Sequence, residues 1–548
     1  MSGFRPFTRQ LGMQPGIQLN PLADQTDGTV PDQSDQVIAT VARLTRGRID
    51  RPFRVTRNNF IAKTGPAEAM RVNALNEAKL QVYEALNQPG GAAAASAVIQ
   101  RLVPAAAAKS YAVVNFSGTP TETASTVAYS VSTTAPTAGY SLYVLDHECH
   151  NDGIKLSLHA NKTPLGGTAV ANKEITLRVL DSTGRLRYEF AGSLDENAKD
   201  DYGASLYLPD VVNAQTDNIE LVVAAGAQVP VTSNAYGRSL SGADNWATSE
   251  TLVCFTEGGT TYTNDDFDRC VTALRNTMLP FGYVISGGSQ SVPLVTKLGT
   301  FAIEANLPIK IDVPGTLAPS AAITWRNQFA FDSHYVHFNW APLEADDPMN
   351  GGKAKWGTGG LQAAFSCGRN ARVNALGFAP KNFPVAGKEW PVTRSSVRQN
   401  YTPDEQELSD LAEAQINPVI YENYNGGGRY VFTDSLTAAK TRVSRKKLQS
   451  VSEMSASMDN WIALQAKEWL QLPMQLYIKN MSAFLDLLLQ RAQASDWLVP
   501  SQTLPGNAAY AFEVIPDATK PADTVVINYF TSYDGVVRQG RIQQTLAK

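Results

Sequence analysis

The two ends of this chain constrain its fold more than any other feature. Met1 to Gln36 is poor in apolar residues, whereas Thr524 to Leu546 is rich in strand-forming ones. In the second segment, Thr524–Thr531 and Val536–Ile542 predict strands on either side of the turn signal Asp534-Gly535. Little sequence follows that could cover such strands, and buried backbone amides and carbonyls need partners. The pattern favours an edge strand folded onto its own subunit, with a strand donated to a neighbouring subunit as the alternative.

Length and composition indicate a globular protein with several domains. The chain has 548 residues and 43% hydrophobic content, enough for each domain to bury its own core. The formal net charge of −4 favours neither nucleic acid nor an anionic membrane as a partner. The N-terminus lacks the order of a secretion signal, and no apolar run approaches the roughly 20 residues that span a bilayer. We therefore expect folding in a cytoplasm, without direct membrane insertion.

Helix and strand patterns alternate over much of the chain, which predicts an α/β layer. Tyr140 to about Gly226 instead shows short alternating strands, and Asp181-Ser182-Thr183-Gly184 has the composition of a hairpin turn. The Thr/Ser/Ala/Pro-rich stretch Gly118–Gly139 marks the boundary of this inserted β-rich domain. Predicted helices cover Ala67–Asn87, Asn264–Leu279, Val292–Ala305, Glu405–Ala414, Val443 to about Leu472 and Met474–Ala494, and predicted strands include 51–56, 112–116, 281–288, 309–315, 511–515 and 525–527.

The helix predicted at Met474–Ala494 has a wide apolar face. Such a face predicts that other elements pack on this helix. The residues that form it are Leu476, Met481, Phe484, Leu485, Leu487, Leu488 and Leu489.

The densest set of potential metal ligands is Asp146-His147-Glu148-Cys149-His150-Asn151-Asp152. Adjacent ligands cannot all face one ion: in a strand, His147 and Cys149 share one face while His150 points to the other. No second ligand pair with zinc spacing occurs, so a polar strand end is favoured over a metal site. The four cysteines form no C-x-x-C pair, which predicts buried free thiols.

Other catalytic motifs are not found in the sequence. His334 and His337 lack the adjoining glutamate of a metalloprotease helix, and their aromatic setting suggests strand packing. Gly357-Thr358-Gly359-Gly360 lacks the lysine of a phosphate cradle and is interpreted as a loop. We therefore predict a protein that is not an enzyme and uses no cofactor.

Arg442, Arg445, Lys446 and Lys447 form the one dense basic cluster, at the start of a predicted long helix. Four like charges on two turns repel one another unless they are solvated or matched. A solvated face and a docking patch for an acidic partner both remain open. Nucleic acid is not expected, because no aromatic platform accompanies the cluster.

Several stretches of the chain carry short motifs in a fixed order. They are Ile175–Asp181 through Phe190 with Ser193–Asp195 and Asp200–Gly203 (a strand, a "vesf" segment and a D-x-x-G turn), Ser333–Pro342 with Gly357–Ala364 ("s.Yaa.YyPW" and the loop and helix after it), Gln415–Ile420 ("INpi"), Arg442–Leu448 ("inVRRL") and Phe484–Leu498 (the following helix). In this order they resemble the contractile tail sheath family of bacteriophages, and the resemblance runs from about Arg51 to the C-terminus. The stretch after Gln415–Ile420, Tyr424–Gly428, departs from the family's usual "WGaRTl" wording.

The resemblance implies a mixed α+β and α/β multidomain fold. Both chain ends would form an inner α/β assembly domain, with an α/β middle domain, an inserted β-rich outer domain and extended arms at both termini. The implied division is 1–36 N-terminal arm, 37–115 first part of the inner and middle α/β region, 116–249 β-rich outer domain, 250–400 middle α/β domain, 401–523 C-terminal inner assembly domain and 524–548 C-terminal strand arm.

The resemblance also implies a function: a structural subunit that polymerises helically around the tail tube and contracts for genome delivery. It makes strand donation the favoured interpretation of both arms. The implied partners are further copies of the chain, the tail tube protein, and baseplate and tail terminator proteins, in a virion tail assembled in the host cytoplasm. The implied inter-subunit arm residues are Val525, Ile527, Tyr529, Val537, Arg541 and Ile542, and the implied tube contacts are Arg442, Arg445, Lys446 and Lys447.

Two alternatives remain. A sheath of a related contractile injection machine, such as a secretion apparatus or a bacteriocin, would share these features. A metal-dependent enzyme built around His147, Cys149 and His150 is the alternative from another class.

Overall fold

The computed structural model of the chain describes residues 33–117, 126–160, 173–228, 237–238, 244–441, 443–541 and 543–544. Arg442, Ile542 and the predicted N-terminal arm up to residue 32 lie outside these residues. The α-helices are Phe60–Thr64 (α1), Glu77–Leu86 (α2), Leu208–Gln215 (α3), Asn264–Arg275 (α4), Val292–Glu304 (α5), Pro319–Arg326 (α6), Gly359–Asn370 (α7), Glu405–Glu413 (α8), Gln449–Glu468 (α9) and Met474–Ala494 (α10).

The strands form several separate sheets. In chain order they are Val37–Ala42 (β1), Phe53–Val55 (β2), Ser96–Arg101 (β3), Ala108–Lys109 (β4), Tyr111–Ser117 (β5), Thr126–Ser132 (β6), Leu142–Asp146 (β7), Ile154–Ala160 (β8), Glu174–Asp181 (β9), Leu186–Ser193 (β10), Ile219–Val223 (β11), Gly237–Arg238 (β12), Asp244–Asn245 (β13), Ala247–Thr248 (β14), Phe255–Thr256 (β15), Tyr283–Ile285 (β16), Ile309–Val313 (β17), Val336–Trp340 (β18), Leu343–Asp346 (β19), Lys353–Ala354 (β20), Arg398–Gln399 (β21), Ile416–Tyr424 (β22), Gly427–Phe432 (β23), Tyr510–Pro516 (β24) and Val525–Thr531 (β25).

An eight-stranded sheet organises the molecule, in the order β2-β3-β1-β16-β17-β18-β22-β23. Neighbours from β3 to β22 run parallel, whereas β2 and β23 pair antiparallel at the two edges. Later strands are added on both sides of β1, which gives a doubly wound arrangement. Every residue of β1 is buried, as expected for a parallel strand covered on both faces. The predicted α/β layer is therefore confirmed.

Helices cover both faces of this sheet. Val37, Ala39 and Val41 of β1 enter the core with α4, α5 and α6, while Ile38 enters the opposite core with α2 and α7. The alternation follows from the period of two along a strand. Helix α4 begins with a capping box, in which Asp266 accepts from the backbone amide of Thr263 at 2.9 Å.

The β-rich segment forms two four-stranded sheets with a core of their own, in the orders β10-β9-β8-β14 and β11-β7-β5-β6. The predicted turn between β9 and β10 is confirmed, because the Asp181 carboxylate accepts from the backbone amides of Thr183 and Arg185 at 2.9 Å. Sequence patterns missed α3, which buries Leu208 and Val212 on this core. The short strands β4 and β15 pair where the segment leaves and rejoins the α/β layer.

A segment rich in arginine joins the β-rich segment to the central sheet. Arg46, soon after β1, binds the carboxylates of Asp152 and Asp181. Arg48 donates to the backbone oxygen of Asp217 at 2.8 Å, and both arginine side chains are largely buried. Partly desolvated charge pairs of this kind are stronger than surface ones. They fix the β-rich segment to the end of β1.

Two predicted helices begin later than their sequence patterns. Within Ala67–Asn87 only Glu77–Leu86 is helical, because the extended Asn73 accepts from the amide of Leu75 and starts a 3₁₀ turn. Helix α9 begins at Gln449 rather than at Val443. No helix in the described part of the chain is long and apolar enough to cross a membrane.

Candidate subunit-assembly site

A hairpin of the last two strands lies on the helices α9 and α10. β24 and β25 pair antiparallel from Tyr510↔Thr531 to Pro516↔Val525. Val525, Ile527 and Tyr529 pack against the apolar sides of the two helices. Among the described strands, none pairs with the outer edge of either member of this hairpin. Open edges of this kind can accept another strand. The inter-subunit role of the three side chains stays a prediction.

The segment Ser532–Arg541, which we call the C-terminal segment, contains no strand. The prediction of a second strand from Val536 is therefore wrong for the described residues Val536–Arg541. Asp534-Gly535 does not form the turn of a hairpin. The physical reason is Tyr533. This buried residue forms an isolated bridge with Leu498, which directs the chain away from β25.

Arg445 holds the beginning of the C-terminal segment. Its guanidinium donates to the Ser532 hydroxyl at 3.0 Å and to the carbonyl oxygen of Tyr533. Further along, Val537 is 90% exposed and Arg541 is exposed. The two predicted arm residues after Tyr533 that can be placed therefore point into solvent.

Three residues of the basic cluster, Arg445, Lys446 and Lys447, lie on a 3₁₀ turn and not on an α-helix. Ser444 caps this turn by accepting from the amide of Lys446 at 3.3 Å. Lys446 is exposed and Lys447 is half-buried. Because Arg445 binds the C-terminal segment and Lys447 is half-buried, Lys446 is the described residue of the cluster best placed to meet a partner. Tube contact stays a prediction.

The elements that pack on α10 leave part of its apolar face exposed. Met481, Leu485 and Leu489 are buried as predicted, but Leu476 and Leu487 remain largely exposed. Exposed apolar side chains continue around the α9–α10 connection and border a groove of about 490 Å³. Contiguous exposed apolar surface marks interaction sites. The exposed apolar residues at the connection are Leu464, Leu470 and Leu472. The groove is lined by residues that include Leu470, Leu472, Met474, Tyr477 and Val525.

The residues weighed as candidate metal ligands belong to a buried charge network. The Asp146 carboxylate binds Nδ1 of His150 at 2.9 Å and the Arg187 guanidinium at 3.2 Å. His147 faces Lys109 at 2.9 Å, and burial raises the pKa of the Cys149 thiol to about 12. No group of three potential ligands among the described residues could hold a metal ion. The candidate ligands do follow a strand end, as favoured, but the strand stops at Asp146, so the alternation expected for His147, Cys149 and His150 in a strand is wrong, and Cys149 and His150 are buried.

His337 belongs to a second buried cluster, which sequence analysis missed. Its Nδ1 accepts from Lys310 Nζ at 2.9 Å, and its Nε2 donates to the carbonyl oxygen of His334 at 3.0 Å. Burial, together with the Lys310 charge, holds the pKa of His337 well below its usual range. Lys310 also binds Glu453 at 3.0 Å, and Glu453 binds Arg369. The cluster ties α9 to the central sheet; the lysine within the apolar strand pattern 309–315 was its one sequence signal.

The glycine-rich stretch begins a helix. Gly357 and Thr358 precede α7, as the loop interpretation requires, but Gly359 and Gly360 form its first turn, which corrects that interpretation. The Asp312 carboxylate accepts from the amides of Thr358 and Gly359 at 2.8 and 2.7 Å. A carboxylate of the chain itself therefore occupies the anion position at this helix N-terminus.

Glu77 lies beside Asp312 on a cavity of about 40 Å³. The side-chain amide of Gln81 donates to both carboxylates at 2.9 Å, and Glu77 also accepts from the Gly357 amide at 2.7 Å. Burial and the neighbouring Asp312 raise the pKa of Glu77 to about 8, while Arg394 opposes the shift. Two carboxyl groups so close together favour sharing a proton.

Glu77→Gln is expected to stabilise the protein at alkaline pH. Because its pKa is raised in the folded state, protonated Glu77 stabilises the wild-type protein fully below the ordinary pKa of 4.5, and this wild-type contribution is lost as the pH rises through about 8. Glutamine keeps the acceptor for Gly357 without the charge. We expect a gain on the order of 2 kcal/mol at pH 9 that vanishes at pH 4.5, measured by urea unfolding. Glu389→Gln, at an exposed position, is the matched control; equal pH profiles for both variants would contradict the prediction.

The fold is that of sheath tail proteins, in agreement with the resemblance found in the sequence. The structure of a sheath tail protein from Listeria innocua aligns over 90% of this chain and 94% of its own, at 9% identity and a TM-score of 0.51. At 11% identity, a sheath tail protein from Desulfitobacterium hafniense covers 95% of this chain and 100% of its own, with a TM-score of 0.47. Identity this low establishes the fold alone. No protein family and no curated protein matches the chain.

Proposed function

We propose that this chain is a non-enzymatic subunit of a contractile sheath. In this proposal it polymerises helically around an inner tube and shortens to drive the tube through a bacterial envelope. The observation that carries the proposal is the alignment with the Listeria innocua sheath tail protein over nearly the whole of both chains. The exposed apolar surface around α9 and α10 supports a protein that works in an assembly.

Strand donation links the subunits in the proposed sheath. The hairpin β24–β25 has open edges, and the second half of the C-terminal segment carries the strand-forming residues Val536 and Val537, whose backbone groups make no hydrogen bond to another described segment. A donated strand would complete the hairpin of the next subunit. A head-to-tail contact that does not close on itself builds a helical tube. The linked segments would keep neighbours at high effective concentration while the larger interfaces exchange during contraction.

The same architecture suits two machines, a phage tail and a related injection machine. In a phage tail, the partners would be tube, baseplate and terminator proteins. Genes encoding capsid and DNA-packaging proteins beside this gene would favour the virion tail. Genes for secreted effectors or a bacteriocin cluster would favour the alternative machine.

Electron microscopy of the purified full-length chain tests the proposed function. We expect hollow, striated cylinders of uniform diameter, formed by the chain alone at high concentration or around added tubes. A protein that stays monomeric in both conditions would contradict a sheath. Stoichiometric zinc in the purified protein would instead favour the metal-dependent enzyme.

Charge reversal of the basic turn is expected to slow assembly on tubes. In the proposed sheath, Lys446 and Lys447 meet an acidic tube surface together with Arg445 and Arg442. We expect Lys446→Glu/Lys447→Glu to slow co-sedimentation with tubes roughly tenfold at low salt, with a smaller difference at high salt. The control reverses Lys388 and Lys520, which are exposed elsewhere. Equal rates for the two double variants would remove the basic turn from the tube contact.

A further inference from the structure

We propose that Asp434 and Arg538 form a latch that keeps the C-terminal segment on its own subunit and so delays assembly. The inference rests on the proposed function, because it concerns the regulation of strand donation. Its physical basis is the unequal way in which the two halves of the C-terminal segment are held.

The first half of the C-terminal segment is firmly attached. Ser532 donates its amide to Ala509 O at 3.0 Å, and Asp534 donates to Trp497 O at 3.1 Å. The Tyr533 side chain is buried in the core between α9, α10 and the hairpin. This half therefore cannot leave without disturbing the core of the C-terminal helices.

The second half begins at Gly535 and has two attachments within the described residues. Val536 packs partly against the core of α9 and α10. Arg538 makes a two-point ion pair with Asp434: Nε donates to Oδ1 at 2.8 Å and Nη2 donates to Oδ2. The side chains are 24% and 15% exposed, so solvent and salt reach the pair. Gly535 gives the chain the conformational freedom of a hinge between the two halves.

The backbone of the second half is free to form a ladder. No backbone hydrogen bond joins Val536–Arg541 to another segment in the described structure. Fully extended at about 3.3 Å per residue, these six residues and Gly535 reach about 23 Å. Release of Arg538 from Asp434 would thus free a strand-forming segment that remains anchored at Tyr533. While the pair holds, Val536, Val537 and Arg538 stay near Asp434 on their own subunit and are not available as part of a donated strand.

Asp434→Asn tests the latch without changing the segment itself. Asparagine keeps the acceptor for the Ser435 amide, which Asp434 now binds at 2.8 Å, but removes the charge. Two readouts are needed: the rate of trypsin cleavage after Arg538 in the monomer, and the lag before light scattering rises during polymerisation. We expect cleavage about threefold faster and a correspondingly shorter lag, with both differences lost at about 1 M salt. The control Asp265→Asn removes an exposed charge on α4.

Restoration of the pair with reversed charges completes the test. Asp434→Arg should accelerate cleavage after Arg538, and Asp434→Arg/Arg538→Asp should return cleavage after the remaining site Arg541 to the slow rate. Unchanged cleavage in Asp434→Asn would show that the pair does not hold the segment. Faster cleavage with an unchanged lag would overturn the regulatory role alone. If no variant polymerises, the proposed function fails with that role, while cleavage still decides whether the pair holds the segment.

Discussion

Glu453→Ala is expected to destabilise the protein by about 3–5 kcal/mol, because it leaves two buried cations without a counter-charge. Glu453 lies on α9, at 3.0 Å from Lys310 of β17, and it also binds Arg369 of α7. Tyr283 of β16 donates a further hydrogen bond to it at 3.1 Å. All four side chains are buried, so water cannot replace the lost carboxylate. Urea unfolding followed by tryptophan fluorescence measures the effect.

The stabilisation that Glu453 contributes is expected to decrease as the pH falls. Although burial opposes ionisation, the charges of Lys310 and Arg369 hold the pKa of Glu453 well below its usual range. The stabilisation is therefore complete above the ordinary value of 4.5 and is lost as the pH falls toward the folded-state pKa. Glu468→Ala, at the exposed end of the same helix, should change stability by less than about 0.5 kcal/mol. If both variants lost a similar free energy of unfolding, the buried cluster would not contribute the predicted stabilisation.

Proline in the C-terminal segment is expected to abolish polymerisation while leaving the subunit folded. Val537 is 90% exposed and its amide makes no hydrogen bond to other described residues, so Val537→Pro fits the free subunit. In a donated strand the same change leaves a ladder hydrogen bond unmade at a cost of about 1–3 kcal/mol, which weakens each contact roughly tenfold to a hundredfold. Sedimentation and electron microscopy measure the loss of polymer.

A second proline variant is needed because each proline blocks only one edge of the donated strand, and the edge that pairs with the neighbouring subunit depends on the strand register. Successive amides of a strand point to opposite edges, so Val537→Pro and Gly540→Pro, three residues apart, block different edges. At least one of the two must prevent assembly if this segment is the donated strand. Val537→Thr, which keeps strand propensity, is the control. Normal cylinders from both proline variants would exclude residues 536–541 as the donated strand and leave the open hairpin to another segment.

Local chemistry predicted most elements, but not which elements would become partners. The β-branched and aromatic run Val525–Thr531 forms a strand wherever its partner lies, and the partner β24 was equally visible as a pattern. That the chain leaves this hairpin at Tyr533 depends on a tertiary contact with Leu498, more than 30 residues earlier, which no local pattern contains. The same limit applies to Ala67–Asn87, where the side chain of Asn73 outweighs a helical period.

The candidate site was predictable only in part, because it too depends on contacts between residues far apart in sequence. A basic cluster is visible in sequence, but the donation from Arg445 to Tyr533 is not. Charged residues inside apolar patterns were the signal for the two buried clusters. Lys310 and Asp312 interrupt the strand Ile309–Val313 on the same face, since they are two positions apart. Their partners Glu453 and Gln81 come from distant helices that sequence alone does not bring together.

The pairing of β4 with β15 places the two crossings of the β-rich segment side by side. A foreign domain whose own termini are adjacent could therefore be grafted between Lys109 and Phe255 without stretching the main chain. Such a graft would have to supply carboxylates for Arg46, because both of its counter-charges, Asp152 and Asp181, belong to the removed segment, whereas Arg48 keeps Asp50. The junction thus defines a practical position for displaying cargo, on condition that the replacement carries acidic residues at its base.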